Sequence, residues 1–139
     1  MHTVNLAGFA APKFYQINTA TNSVVQNGFF FASGSSFDFN ASIAANTDND
    51  IFLTWTSADP PAGTNAQVRF SGCDHNDGPA VPGSGTATFT SPTSFGGGRW
   101  GDYSAVTIDP SNARQAWLVN EDVTTTGDWG SRIDAIGFP

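Results

Sequence analysis

Arg99-Trp100-Gly101-Asp102-Tyr103-Ser104-Ala105-Val106-Thr107-Ile108-Asp109-Pro110 packs two bulky aromatics, a strand-like alternation and an Asp-Pro turn into twelve residues, and Gly96-Gly97-Gly98 sets it off from the chain before it. Side chains two apart on a strand share a face, so the alternation predicts a half-buried strand, and the Asp-Pro pair predicts where it stops. Outward from this stretch the pattern repeats. Residues 115–120 and 131–138 read as strands downstream, and 13–18, 24–31, 40–45, 51–56, 66–71 and 86–90 upstream. The polar runs Thr19-Ala20-Thr21-Asn22-Ser23 and Asn46-Thr47-Asp48-Asn49-Asp50 predict hairpin turns, and the Asp-, Gly- and Pro-rich run 72–85 predicts a long surface loop. No window keeps apolar residues at helical spacing, so the chain is expected to be all-β.

The 139 residues suffice for one domain around one core. Only 12% of them are charged, against 15 glycines and 12 phenylalanines, a usage that favours short strands and many turns. Twelve acidic and five basic side chains give a net charge of -7 and a pI near 4.2, which repels phosphate backbones and anionic lipid; neither nucleic acid nor membrane is an expected partner. No apolar run of about twenty residues is present to span a bilayer. The first residues show no basic segment ahead of a long apolar core, so no secretory leader is read there. Cys73 is the only cysteine, which rules out an intrachain disulfide or a thiolate cluster. Asp74 and Asp77 beside it make the setting electronegative, the opposite of what a nucleophilic thiolate needs.

Two halves of the strand list repeat. Ser42 stands thirteen residues before Trp55 and Ser104 thirteen before Trp117, an offset of 62 that also brings Val68-Arg69-Phe70 close to Arg132-Ile133. Repeats of this length with internal hairpins mark propeller blades or solenoid turns. The expected architecture is about two four-stranded antiparallel propeller-type blades with flanking strands: part of a blade over 12–31, a blade over 38–95, and a blade over 99–138 closed by the N-terminal strand 24–31. Two blades cannot cover their own flanks, so the chain is expected to assemble with copies of itself, as a trimer in preference to a dimer.

Arg99-Trp100-Gly101-Asp102-Tyr103-Ser104 with Asp109-Pro110, then Trp117-Leu118-Val119-Asn120-Glu121 and Trp129-Gly130-Ser131-Arg132-Ile133, resembles the C-terminal blades of bacterial sialidase-like (exo-α-sialidase-like) β-propeller proteins. Lys13-Phe14-Tyr15-Gln16-Ile17, Val25-Gln26-Asn27-Gly28 and Asn40-Ala41-Ser42-Ile43-Ala44 are similar to that family's preceding blade, so the likeness covers residues 12–138. It implies a propeller fold in a family of secreted proteins. It does not carry sialidase activity over. The nearest approach to the family's Ser-x-Asp-x-Gly-x-Thr-Trp box, Thr47-Asp48-Asn49-Asp50 with Trp55, has the wrong spacing and Asp for Gly, and Arg69, Arg99, Arg114 and Arg132 lack the spacing of its carboxylate-binding arginines.

The candidate ligand-binding residues are Arg99, Trp100, Asp102, Tyr103, Trp129 and Arg132. Aromatic faces stack on the C–H patches of a sugar while neighbouring polar groups hold its hydroxyls, so a glycan is the ligand these residue types suit. The same Asp and Arg side chains could instead pin successive strands together. Glycoside hydrolysis needs two carboxylates at one bond, to be sought in Glu121 with Asp122 or Asp102 with Asp109, but neighbours on a strand face opposite ways. A Ser-His-Asp triad would have to use His2 or His75, at a terminus and in a loop. Asp48-Asn49-Asp50 and Asp74-His75-Asn76-Asp77 offer oxygen ligands at spacings calcium could use, although neither matches the EF-hand pattern and solvated turns account for both. No catalytic residue, metal or cofactor is assigned. The expected function is a non-enzymatic binding or assembly module; its rival is a sialidase-like or other glycoside hydrolase.

Overall fold

The computed structural model describes residues 1–77 and 83–138. Its strands are β1 (His2–Leu6), β2 (Phe9–Asn18), β3 (Ser23–Phe29), β4 (Phe37–Ala45), β5 (Ile51–Asp59), β6 (Thr64–Cys73), β7 (Thr86–Thr90), β8 (Ser104–Asp109), β9 (Asn112–Thr125) and β10 (Asp128–Gly137). They make three antiparallel sheets, β1-β2-β3, β4-β5-β6-β7 and β8-β9-β10. Among the described residues no sheet closes on itself, and the only helical pieces are two 3-10 turns, Pro60–Ala62 and His75–Asp77. Of the loop expected over 72–85, β6 takes the first two residues, the second 3-10 turn follows, and 78–82 lie outside the described residues.

The middle sheet is sandwiched. Ile51, Leu53 and Trp55 of β5 pack with Phe14 and Phe30 of the first sheet's side, whereas Phe52 and Val68 pack with Ala116, Leu118 and Ile136 of the third sheet. A strand covered on both faces reads as a continuous run of apolar and β-branched residues, and Ile51-Phe52-Leu53-Thr54-Trp55-Thr56 is that run. The two threonines in it face the third sheet without leaving an unmet hydroxyl: Thr54 Oγ1 donates to the Arg69 carbonyl at 2.9 Å and Thr56 Oγ1 to Asn120 Oδ1 at 3.2 Å.

Three expectations about the strands are corrected. First, only one sheet has four strands; the expected blade over 99–138 is the three-stranded β8-β9-β10. Second, the strand 24–31 expected to close that blade pairs within the chain with β2, Phe14 against Gly28 and Tyr15 against Asn27. A short hairpin loop fixes far less chain than a pairing across the whole sequence, and the β2–β3 turn is well made: Asn18 Oδ1 accepts the backbone N–H groups of Ala20 and Thr21, and Asn22 takes a left-handed φ of 53°. Third, β1 joins the first sheet through the turn Ala7-Gly8, whose φ values are 52° and 97°. Two positive φ angles are the requirement of a two-residue hairpin turn usually met by Asn-Gly, and alanine in the first place hides the signal.

The 62-residue repeat is not a structural repeat in register. Ser42 and Ser104 meet each other across the second and third sheets, their hydroxyls 2.8 Å apart. Ser42 pairs with Thr54, but Ser104 pairs with Asn120. Trp55 is wholly buried, whereas Trp117 lies on the outer surface of the third sheet, 44% exposed.

Candidate functional site

Strand β9 alternates over 116–120, and the four residues 120–123 are all buried. Ala116, Leu118 and Asn120 are buried against the middle sheet, so Trp117, Val119 and Glu121 belong to the outer face. Cross-strand register sets Ala105, Val119 and Ile133 in one row and Thr107, Trp117 and Ala135 in the next. At the end of this face nearest the loop 99–103 lies a groove of about 260 Å³ lined by Tyr103, Ala105, Val119, Glu121, Trp129 and Ser131. Tyr103 is 74% exposed and Trp129 48%, while Glu121 is buried and accepts the Gly101 N–H on Oε2 at 2.7 Å. Gly101 makes that bond from a φ of 81°, a conformation glycine adopts without the cost a Cβ would bring.

Of the six expected ligand-binding residues, the structure brings Tyr103 and Trp129 together in this groove. The other four go elsewhere. Trp100 lies against Phe39 and Phe95 and lines a separate groove of about 490 Å³ with Pro60 and Asn65; its Nε1 is buried without a hydrogen-bond partner among the described residues. Arg99 and Asp102 pair with each other at 2.7 Å on the open surface. Arg132, beside Ile133 and therefore on the opposite face, pairs with Asp134 at 3.2 Å over the Phe89 ring. Glu121 and Asp122 do not form a catalytic pair: Glu121 lines the groove, and Asp122 sits over Gly130, where an added Cβ would come within 2.8 Å of its Oδ1. The residues missed by sequence reasoning are Trp117, Val119 and Ile133, whose signal was the alternation itself.

The first sheet has an outer face of the same kind. Phe14 and Phe30 point into the core, so Lys13, Tyr15 and Ile17 face outwards, in register with Phe29, Asn27 and Val24. Ile17 is 58% exposed and Val24 54%. Lys13 Nζ stands 4.8 Å from the Phe29 ring centre and 5.2 Å from that of Tyr15, and His2 stacks on Tyr15. Beyond Lys13 an apolar pit of about 170 Å³ opens between Leu6, Phe9, Ala11 and Phe31.

The two acidic loops considered for calcium meet in space. Asp50 is fully buried; its Oδ1 accepts His75 Nδ1 at 2.6 Å and the His75 backbone N–H at 2.9 Å, and its Oδ2 accepts the Asn46 amide at 2.7 Å. Arg114 Nη2 holds Asp74 at 3.0 Å. The Asp50 carboxylate thereby ties the two loops together, and an oxygen of Asp50, one of Asp74 and a ring nitrogen of His75 lie within 4.8 Å of one another, a set that could hold a metal ion. Burial pushes the Asp50 carboxyl up, but the His75 and Asn46 hydrogen bonds outweigh it and hold the pKa at about 2; the bond to Asp50 in turn raises that of His75. The Asp50 contribution is present above the ordinary carboxylate pKa and lost as pH falls towards about 2, and the His75 contribution is complete below about 6.5 and lost as pH rises through the raised value. Thermal melts are therefore expected to show the advantage of the wild type over His75→Gln at about pH 5.5 shrinking by about pH 8.5. An unchanged difference would mean that the ion pair does not tie the loops. Cys73, next to this clamp, is buried at the end of β6, and burial and then Asp77 push its thiol up, which suits a packing role.

Comparison of the chain with family models, with curated proteins and with solved structures finds no match.

Proposed function

We propose that the chain is a non-enzymatic assembly module of propeller type, whose stacked sheets are continued by further sheets on both outer faces. One observation carries this. The middle sheet, covered on both sides, shows what the sheets of this chain pack against, and the two outer faces carry exposed side chains of the same character, uncovered among the described residues: Trp117, Ile133 and Tyr103 at one end, Tyr15, Ile17 and Val24 at the other. Contiguous apolar sheet faces are where a second layer belongs. The likeness of Arg99–Asp109 and Trp129–Ile133 to sialidase-like propeller blades supports the same architecture. Three sheets per chain change the expected copy number: two copies would supply six sheets, within the four to eight blades usual for propellers, whereas three would supply nine.

Light scattering tests the reading directly. A mass of two chains at micromolar concentration is expected, and a monomer up to hundreds of micromolar would overturn it.

A second reading, a sugar seat between Tyr103 and Trp129, is favoured by the two exposed aromatics flanking a buried carboxylate acceptor. It competes for the surface that assembly would cover. Tryptophan fluorescence titrated with a panel of glycans would show saturable quenching, lost in Trp129→Ala, if the sugar is the occupant. The groove presents Glu121 without Asp122, so the retaining or inverting pair of a glycoside hydrolase is not assembled there.

A further inference from the structure

We infer that the occupant of the third sheet's outer face is the first sheet of a second copy, docked head to tail, with Tyr103 of one copy entering the apolar pit of the other; this rests on the assembly reading above. Three features of the molecule point to it.

The first is charge. Residues 1–37 contain Lys13 and no acidic side chain, whereas the outer face of the third sheet holds Glu121 and Asp109, whose Oδ2 accepts Trp117 Nε1 at 2.7 Å; Asp122, Arg132 and Asp134 lie on its opposite face. The first sheet is thus the basic end of an acidic molecule and the third sheet an acidic end. Two third-sheet faces set against each other would repel, and the unlike faces attract.

The second is shape. The pit between Leu6, Phe9, Ala11 and Phe31 has a volume of about 170 Å³, close to the ~150 Å³ of a cavity that holds one benzene ring. Tyr103 is the most exposed large apolar side chain on the opposite face.

The third is position along the strands. The pit lies where the chain leaves β3 for β4, with Phe9 against Phe37 at the start of β4. Tyr103 lies at the start of β8, and Ser104, the next residue, is bonded to Ser42 of β4 while Asn40 Nδ2 donates to the Tyr103 carbonyl at 3.1 Å. Knob and hole therefore sit at the same end of the stack, so a copy continued in the same sense brings one over the other. Lys13, beside the pit and among aromatic rings, then faces the end of the third sheet that holds Glu121.

A mixing experiment separates this arrangement from its alternatives. One variant blocks the first-sheet face, Ile17→Asp with Val24→Asp; the other blocks the third-sheet face, Trp117→Asp with Ile133→Asp. All four positions are more than two-fifths exposed, so the fold is expected to survive, which far-ultraviolet circular dichroism checks. Each variant alone is expected to be a monomer, and an equimolar mixture is expected to give a one-to-one dimer through the one intact pair of faces, weakened by Tyr103→Ala in the partner that keeps its third-sheet face. If either variant alone remains a dimer, the contact joins like faces and the head-to-tail arrangement is wrong although assembly stands. If the mixture stays monomeric while the wild type is dimeric, the unlike faces are not the contact. A monomeric wild type overturns both readings together.

Discussion

Trp55→Ala is expected to cost about 4 kcal/mol of folding stability, the largest single effect in the chain, because the residue fills the centre of the core and carries a buried hydrogen bond. Its side chain is wholly buried, edge-on to Phe30 at 5.0 Å between ring centres, and its Nε1–H donates to Asp38 Oδ1 at 2.8 Å. Asp38 is itself fully buried, and its remaining partners are the Ser36 hydroxyl and the Ala32 N–H. Removing the indole therefore leaves a cavity between the first and second sheets and takes one of three donors from a buried carboxylate. Trp55→Phe separates the two effects: it keeps most of the ring volume and is expected to lose about 1–3 kcal/mol, the cost of an unmet buried polar group. Urea unfolding followed by far-ultraviolet circular dichroism measures both. Equal, small losses in the two variants would show that Trp55 is not the keystone of this interface.

Asn120→Ala is expected to cost about 3 kcal/mol through hydrogen bonds rather than packing. Asn120 is fully buried between the second and third sheets. Its Oδ1 accepts Asn40 Nδ2 at 3.1 Å, Thr56 Oγ1 at 3.2 Å and the Glu121 N–H at 2.8 Å. Cutting it to alanine strands the Thr56 hydroxyl and one donor of Asn40 in the interior. Adding Thr56→Val to Asn120→Ala is then expected to restore part of the loss, because the orphaned hydroxyl goes with it, whereas Thr56→Val alone is destabilising. Additive losses in the double variant would mean that the two side chains are not coupled.

These two residues show what could be read from the chain and what could not. Period-two alternation made the fold class and most strands legible, and β5 stood out as the run Ile51–Thr56. Position within the stack was not legible. Trp55 and Trp117 look alike in sequence, each set thirteen residues after a serine, yet one is the middle of the core and the other lies on an outer face. Both point away from the interface where Ser42 meets Ser104, but the first sheet covers Trp55 whereas Trp117 lies on the last sheet of the described stack, and place in the stack leaves no mark on composition. Of the six candidate ligand-binding residues two meet in the groove, and pairing decides which. Tyr103 and Trp129 share a groove because β8, β9 and β10 pair as they do. Arg132, close to Trp129 in sequence, points the other way because the strand alternates. The clamp between Asp50 and His75 joins loops 25 residues apart, and only the β5–β6 hairpin brings them together.

The separation of charge along the sequence also has a dynamical consequence. Because the acid-free stretch forms one terminal layer and an acidic stretch forms the opposite one, the molecule carries an electric dipole directed along the normal to its sheets. Each copy also carries a net charge of -7, so two of them repel at low ionic strength; for the proposed pair, added salt, with a screening length of about 8 Å near physiological strength, is expected to speed the encounter by screening that repulsion.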